Sequence, residues 1–167
     1  MEDTENSFEQ ILELHKGIIY KISRSYCQDL NDRKDLAQEI IIQLWRSFKN
    51  FNPEYKYSTW IYRIALNVAI SFYRRESARK KIALPFTKNV LNLGDDLFSH
   101  DTENNISRLH QFIAELKDLD KALMLLYLDE KSHKEMAEIL GISETYVATK
   151  INRVKIILKQ KFSHIKQ

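Results

Sequence analysis

SHKEMAEILGISETYVATKINRVK, residues 132–155, holds the local signals that decide the fold. Ser132 and Glu135 have the spacing of a capping box. In that motif the serine hydroxyl accepts an amide of the first helical turn, and the glutamate returns to the serine's own amide. Met136, Ala137, Ile139 and Leu140 follow as the buried side of a short helix. Gly141 ends it, as a residue free to adopt a left-handed C-cap would. Ser143 caps the next helix, whose inward face is Val147, Ile151, Val154 and Leu158. Opposite that face stand Thr145, Thr149, Asn152, Arg153 and Ile156, with Tyr146 and Lys150 beside them. The small Ala137, the sharp turn at Gly141 and a basic second helix predict a helix-turn-helix, whose second helix enters the DNA major groove. Arg and Asn side chains can each make two hydrogen bonds to a base edge, while Thr and Lys also hold phosphates. The competing reading is a plain αα-hairpin with a solvated basic face.

N-terminal to this unit, Ile106, Leu109, Ile113 and Leu116 recur at helical spacing. Asp118–Asp120 punctuates the run, Ala122, Leu123, Leu125 and Leu126 form a short apolar helix, and Asp129-Glu130-Lys131 reads as a turn. Residues 82–105 break every period: Pro85, Gly94, Asn89, Asn92, Asn104 and Asn105 mix with Asp95, Asp96, Asp101 and Glu103. Such a polar, net-acidic stretch reads as a linker. In the first half, Ile11, Leu14, Ile18, Ile22 and Tyr26 predict a helix over about 8–27. Asn31 or Asp32 is placed to cap a second helix, with the stripe Leu36, Ile40, Leu44 and Phe48 widened by Ala37, Ile41 and Trp45. Pro53 disfavours helix at Asn52. Ser58 is placed to cap a third helix over about 59–80, apolar through Ile61, Ile64, Ala65, Val68, Ala69 and Phe72. One narrow stripe on it differs: Trp60, Arg63, Asn67, Ser71 and Arg74 line up along one side.

Composition agrees with helices. Three Gly and two Pro in 167 residues are too few for the turns of an all-β chain, and 44% hydrophobic residues suffice for a core. The expected fold is all-α, with two small helical domains, 7–81 and 106–163, on either side of the linker 82–105. The net charge of +3 is unevenly spread: residues 1–14 carry five acids and no Lys or Arg. Residues 63–81 hold six bases against Glu76, and residues 144–167 six against Glu144. Two separate basic segments point to two contacts with a polyanion. Tyr55, Tyr57, Trp60 and Tyr62 near Arg63, Arg74 and Arg75 suit single-stranded nucleic acid, in which bases stack on rings and cations follow phosphates. A tryptophan at a helix start that merely fills core is the plainer alternative for Trp60.

Cys27 is alone, so no internal disulfide can form. The acidic N-terminus is unlike a signal peptide, and no apolar run of about 20 residues exists to span a membrane. A cytoplasmic location follows as the expectation. His15, His100, His110, His133 and His164 lack metal-ligand spacing, and neither a phosphate-binding Gly loop nor a nucleophile–base signature is visible. No metal, cofactor or catalytic residue is expected, and the chain is not read as an enzyme.

Taken together these residues resemble the sigma-70 superfamily, specifically the small extracytoplasmic-function sigma factors. The run DLAQEIIIQLWRSFKNFNPEYKYSTWIYRIALNVAISFYRR, residues 35–75, resembles that family's region 2. LDKALMLLYLDEKSHKEMAEILGISETYVATKINRVK, residues 119–155, resembles region 4. The resemblance implies a subunit that binds core RNA polymerase and directs it to promoter DNA, with an anti-sigma factor as a further partner. It implies that the helix from Asp35 to Phe48 docks on the clamp coiled coil of the largest polymerase subunit, with Asp35, Gln38, Glu39 and Trp45 as interface candidates. For Trp45 a core position is the alternative. The loop containing Asn52, Tyr55, Lys56 and Ser58 would capture a flipped base of the −10 element. Trp60, Arg63 and Asn67 would melt and read that element, and Arg74 and Arg75 would hold its phosphates. Thr145, Tyr146, Thr149, Lys150, Asn152 and Arg153 would read the −35 element. Ala148 departs from the basic residue many relatives carry there, so the −35 contact set is expected to differ. A free-standing regulator binding a palindrome, and a protein-only adaptor for polymerase, are the other two readings open at this point.

Overall fold

The computed structural model describes the backbone of residues 2–83 and 101–165, and the side chains of 7–80 and 105–165. Among the described residues there are seven α-helices and no strand. They are α1 (Glu2–Tyr26), α2 (Leu30–Phe48), α3 (Tyr57–Ala83), α4 (Asp101–Ala114), α5 (Asp118–Leu128), α6 (His133–Leu140) and α7 (Glu144–Ser163). Most of the expected linker, 84–100, lies outside the described residues. Its edges are helical: α3 runs on to Ala83 and α4 begins at Asp101.

Helices α1, α2 and α3 pack on one another, as do α5, α6 and α7 with α4 against them. In the first half α2 buries Leu36, Ile40 and Leu44, the expected stripe. These meet Ile61, Ala65, Leu66 and Ala69 of α3 and Ile19 and Ile22 of α1 in the hydrophobic core. Fully burying a side chain of this size contributes about 1.5–3 kcal/mol, so the shared face of three helices carries this half.

Three local expectations need correction. Leu14 is 81% exposed, while Ile19 and Phe8 are buried. The apolar residues of α1 form two overlapping stripes, and α2 and α3 select the one through Phe8, Ile19, Ile22 and Tyr26. Helix α2 is capped by Asp29, not by Asn31 or Asp32: its carboxylate accepts the Asn31 amide at 2.8 Å and the Asp32 amide at 3.1 Å. Starting two or three residues earlier, Leu30 enters the helix and Asp32 becomes the acid of the first turn, where the helix dipole favours it. Ser58 lies inside the first turn of α3, not at its cap, because the Trp60 amide already donates to the Lys56 carbonyl at 3.1 Å.

The second half follows the sequence more closely. Ser132 and Glu135 form both bonds of the capping box, at 3.2 and 2.9 Å. Gly141 closes α6 at φ 68°, its amide on the Ala137 carbonyl at 2.9 Å. Ser143 caps α7 by accepting the Tyr146 amide at 3.2 Å. Met136 and Ile139 of α6 and Val147, Ile151, Val154 and Leu158 of α7 are buried, together with Ala122 to Leu126 of α5.

Candidate nucleic-acid interface

Burial of one face of α7 fixes what the other presents. Thr145, Tyr146, Thr149, Asn152 and Arg153 are exposed, and Lys150 is half-buried. The Thr149 hydroxyl donates to the Thr145 carbonyl one turn earlier, at 3.0 Å. Lys150 reaches Asp120 of α5 at 2.9 Å, so it braces α7 against α5 as well as standing at the edge of the exposed face. Ala148 is half-buried, on the flank of α7 rather than at the centre of that face.

On α3 the expected stripe is largely present. Arg63, Asn67, Ser71 and Arg74 are exposed, while Ile61, Ala65, Leu66, Ala69 and Phe72 are buried. Trp60 is half-buried, and the aromatic frame around it explains why. Its ring meets Phe51 edge-on at 5.3 Å and lies 6.2 Å from Phe48. Phe51 stacks on Tyr57 at 4.4 Å, and Phe48 meets Phe8 at 5.3 Å. Rings from α1, α2, the following loop and α3 therefore hold the segment 49–57 against the start of α3. In that loop Asn52 is turned on itself: its carboxamide accepts the Glu54 amide at 3.0 Å and donates to the Glu54 carboxylate at 3.1 Å. Tyr55 and Lys56 stand exposed beside it, and Ser58 is half-buried.

Two arginines of this surface are already engaged. Arg75 donates to Glu39 of α2 at 2.9 Å, and that hydrogen bond, with the nearby negative charge, raises its pKa. Glu39 and Arg75, assigned by the sequence to two different partners, thus face each other. Arg74 donates through Nε to Asp118 of α5 at 2.6 Å. Trp45 is 42% exposed and touches Phe8 edge-on at 5.1 Å, so it is a surface ring with one anchored edge and not a core residue. Asp35 and Gln38 are exposed on the same helix.

Sequence patterns carry no sign of the side chains that join the two halves. Asp129, in the turn after α5, accepts from Lys21 of α1 and from the Tyr62 hydroxyl of α3. The Tyr26 hydroxyl donates to the Asp118 carbonyl at 2.8 Å. Lys121 of α5 is only 2% exposed, with its ammonium 4.9 Å from the ring centres of both Tyr26 and Tyr73. Burial lowers its pKa, and the neighbouring Asp118 opposes that shift. No local pattern could reveal these contacts, since the partners lie far apart in the chain. Cys27 is buried nearby, and burial pushes its thiol up to about 11, which leaves it protonated near neutrality.

Among the described residues no group of His, Cys, Asp or Glu is arranged to hold a metal ion. No described helix is long and apolar enough to cross a membrane.

Comparison with known proteins places both halves. Residues 11–79 match the family described as sigma-70 region 2, and residues 106–158 match sigma-70 region 4. The RNA polymerase sigma factor YlaC of Bacillus subtilis is 30% identical over 165 residues, covering 87% of this chain and 92% of that protein. The ECF RNA polymerase sigma factor SigW of the same organism is 28% identical over 169 residues, covering 93% and 89%. Among solved structures, CnrH in complex with the cytosolic domain of CnrY superposes with a TM-score of 0.68 at 20% identity, covering 96% of this chain and 90% of that one. The sigma factor RpoE of Bartonella quintana, bound to the anti-sigma factor NepR, gives 0.70 at 17% identity, covering 94% and 97%.

Proposed function

This chain belongs to the extracytoplasmic-function subfamily of the sigma-70 family, an alternative sigma factor that directs transcription initiation and is not an enzyme, and from that premise we propose which residues do the work. Residues 7–81 act as region 2 and residues 106–163 as region 4, joined by 82–105. Helix α7 reads the −35 duplex through Thr145, Tyr146, Thr149, Lys150, Asn152 and Arg153. Helix α3 and the loop before it take one strand of the −10 element. Asn52, Tyr55, Lys56 and Ser58 receive a base, Trp60, Arg63 and Asn67 hold the strand open, and Arg74 and Arg75 bind phosphates. Asp35, Gln38, Glu39 and Trp45 of α2 dock on the clamp coiled coil of core polymerase.

The observation that carries this reading is the division of α7: four buried apolar residues on one face and exposed Thr145, Thr149, Asn152 and Arg153 on the other. Such a face gives a helix in the major groove both base-reading and phosphate-binding groups. The energetics on the other side are closely balanced. Extruding a base costs a few kcal/mol, and stacking on an aromatic ring returns about 1–3 kcal/mol per base. Phosphate contacts add a salt-dependent term. Opening therefore depends on promoter sequence and on the further contacts that polymerase supplies. The anti-sigma factor NepR bound to RpoE supports a partner of the same class for this chain. Its place of action is the cytoplasm, where polymerase and DNA are.

Reconstitution tests the assignment. Purified protein is added to sigma-free core RNA polymerase with sheared host DNA, and transcript starts are mapped. Discrete new starts that share two upstream motifs are expected. Absence of starts despite tight binding to duplex DNA alone would instead identify a free-standing regulator.

A further inference from the structure

The end of α1, the second half of α3 and parts of α4 and α5 enclose a cavity of about 320 Å³. Tyr26, Cys27, Phe72, Tyr73, Ala114 and Lys121 are among the residues that line it. Lys121 is 2% exposed and carries its ammonium 4.9 Å from the ring centres of both Tyr26 and Tyr73. The two rings and the lysine wall the same space, so the ammonium stands at its surface. Ring faces offset part of the cost of a buried cation. They are poor acceptors for its N–H groups, however: an ammonium has three donors, and a buried donor without an acceptor is costly. Among the described residues Lys121 forms no hydrogen bond and no ion pair; the rings and the field of Asp118 are what it has.

The other charges around this cavity are matched. Asp29 accepts the Asn31 and Asp32 amides as the cap of α2. Asp32 pairs with Lys80 at 3.7 Å, and Glu76 with Arg79 at 3.0 Å. Asp118, the acid whose charge reaches Lys121, gives its carboxylate to Arg74 at 2.6 Å. The Cys27 thiol, pushed up to about 11 by burial, is uncharged near neutrality. Among the described residues, what remains at the cavity is the positive charge of Lys121 without an anion of its own, beside apolar surface from Phe72, Tyr73 and Ala114.

We propose that this cavity is a binding site for a small organic carboxylate, with its charge on the Lys121 ammonium and its apolar body against Tyr26, Phe72 and Tyr73. The inference goes beyond the promoter reading and does not depend on it. A carboxylate accepts from an ammonium through short, charge-assisted bonds, which are strongest where water is excluded. A neutral ligand would leave the ammonium unmatched, and a cation would be repelled by it. An inorganic anion would match the charge but leave the aromatic walls uncovered. The volume lies at the lower end of the range for small-molecule sites, about 300–1,000 Å³, and apolar walls with a few placed polar groups are their usual lining. Lys121 and Ala114 belong to one half of the chain and Tyr26, Cys27, Phe72 and Tyr73 to the other. A ligand here therefore touches both halves.

The test titrates the full-length chain with benzoate at constant ionic strength and follows the backbone amides by NMR. For so small a probe a dissociation constant of about 10 mM or lower is expected. The shifts should centre on Cys27, Tyr73 and Ala114. Benzamide, which keeps the shape and loses the charge, and inorganic phosphate, which keeps the charge and loses the ring, should each bind more weakly by about tenfold or more. Equal binding of benzamide overturns the proposal, since it would mark a merely apolar crevice. Equal binding of phosphate overturns the carboxylate class. Lys121→Met removes the charge while keeping an unbranched chain, a replacement that commonly leaves stability unchanged or raised at buried sites. Benzoate should bind this variant about tenfold more weakly or worse. Ala114→Leu narrows the cavity with Lys121 in place and should weaken benzoate similarly, so the site stays testable if the lysine variant fails to fold. Undiminished binding to either folded variant overturns the proposal. So does a titration that shows no saturation by about 50 mM, or one whose shifts lie away from the cavity.

Discussion

Gly141 offers a test of the helix-turn-helix geometry free of steric complications. It closes α6 at φ 68° and ψ 36°, and a Cβ added there would meet nothing within 4 Å. Gly141→Ala therefore changes backbone energy and little else. The left-handed conformation costs a non-glycine residue about 1–2 kcal/mol. The added Cβ also restricts the unfolded chain, which returns about 0.4–1 kcal/mol. The expected net loss is about 1 kcal/mol, or roughly 2–4 °C in Tm for a chain of this size unfolding as one unit. Gly141→Asn should lose less, because asparagine tolerates the left-handed region. Urea unfolding followed by circular dichroism measures both variants. At temperatures where the Ala variant is folded, its −35 binding should equal wild type, since Gly141 lies in the turn and not on the exposed face of α7. A loss above about 3 kcal/mol would mean that the turn is crowded. No loss, with Asn and Ala equal, would mean that the residue is not left-handed in solution.

Arg153→Ala should weaken binding to the −35 element by about 1–3 kcal/mol in a salt-controlled titration if Arg153 reads a base. An equal loss on scrambled duplex would make it a phosphate contact. Asn67→Ala should abolish permanganate reactivity of the −10 strand in the polymerase complex while polymerase binding stays near normal; unchanged reactivity would remove Asn67 from the strand-reading set. Ile22→Ala, at a site with 0% exposure in the core of the first half, should cost about 2–5 kcal/mol by denaturant midpoint, and a change under about 1 kcal/mol would contradict its enclosure. Glu135 is held below the ordinary glutamate value of 4.5, chiefly by its hydrogen bond from the Ser132 backbone amide. A depressed folded pKa means that this contribution is present above that value and is lost as pH falls through the folded one. The stability difference between wild type and Glu135→Gln should accordingly narrow on acidification below pH 4.5, and a gap independent of pH would refute the cap's charge dependence.

What could be read from the sequence was what local chemistry decides. Ser132, Glu135, Gly141 and Ser143 act on backbone groups within a few residues of themselves, so their spacing alone located α6, the turn and α7. The buried faces of α2 and α7 were also legible, because each has a single apolar stripe. Where local signals competed, neighbours chose. In α1 two stripes overlap, and packing on α2 and α3 buried Ile19 and exposed Leu14. Before α2, Asp29, Asn31 and Asp32 all have capping side chains, and the helix begins at the one whose φ and ψ are extended. Trp45 has an apolar ring that sequence favours as core over interface, yet it is 42% exposed with one edge on Phe8. The joining of the halves was wholly a tertiary matter. A lysine in sequence predicts solvent, yet Lys121 is enclosed by tyrosines from two other helices. Asp118 and Asp129 meet partners between 44 and 108 residues away. Sequence determined the exposed polar faces of α3 and α7, since caps and periodicity act within a few turns. The fold decided which of their charges are free, since a charge's partner is set by proximity in space.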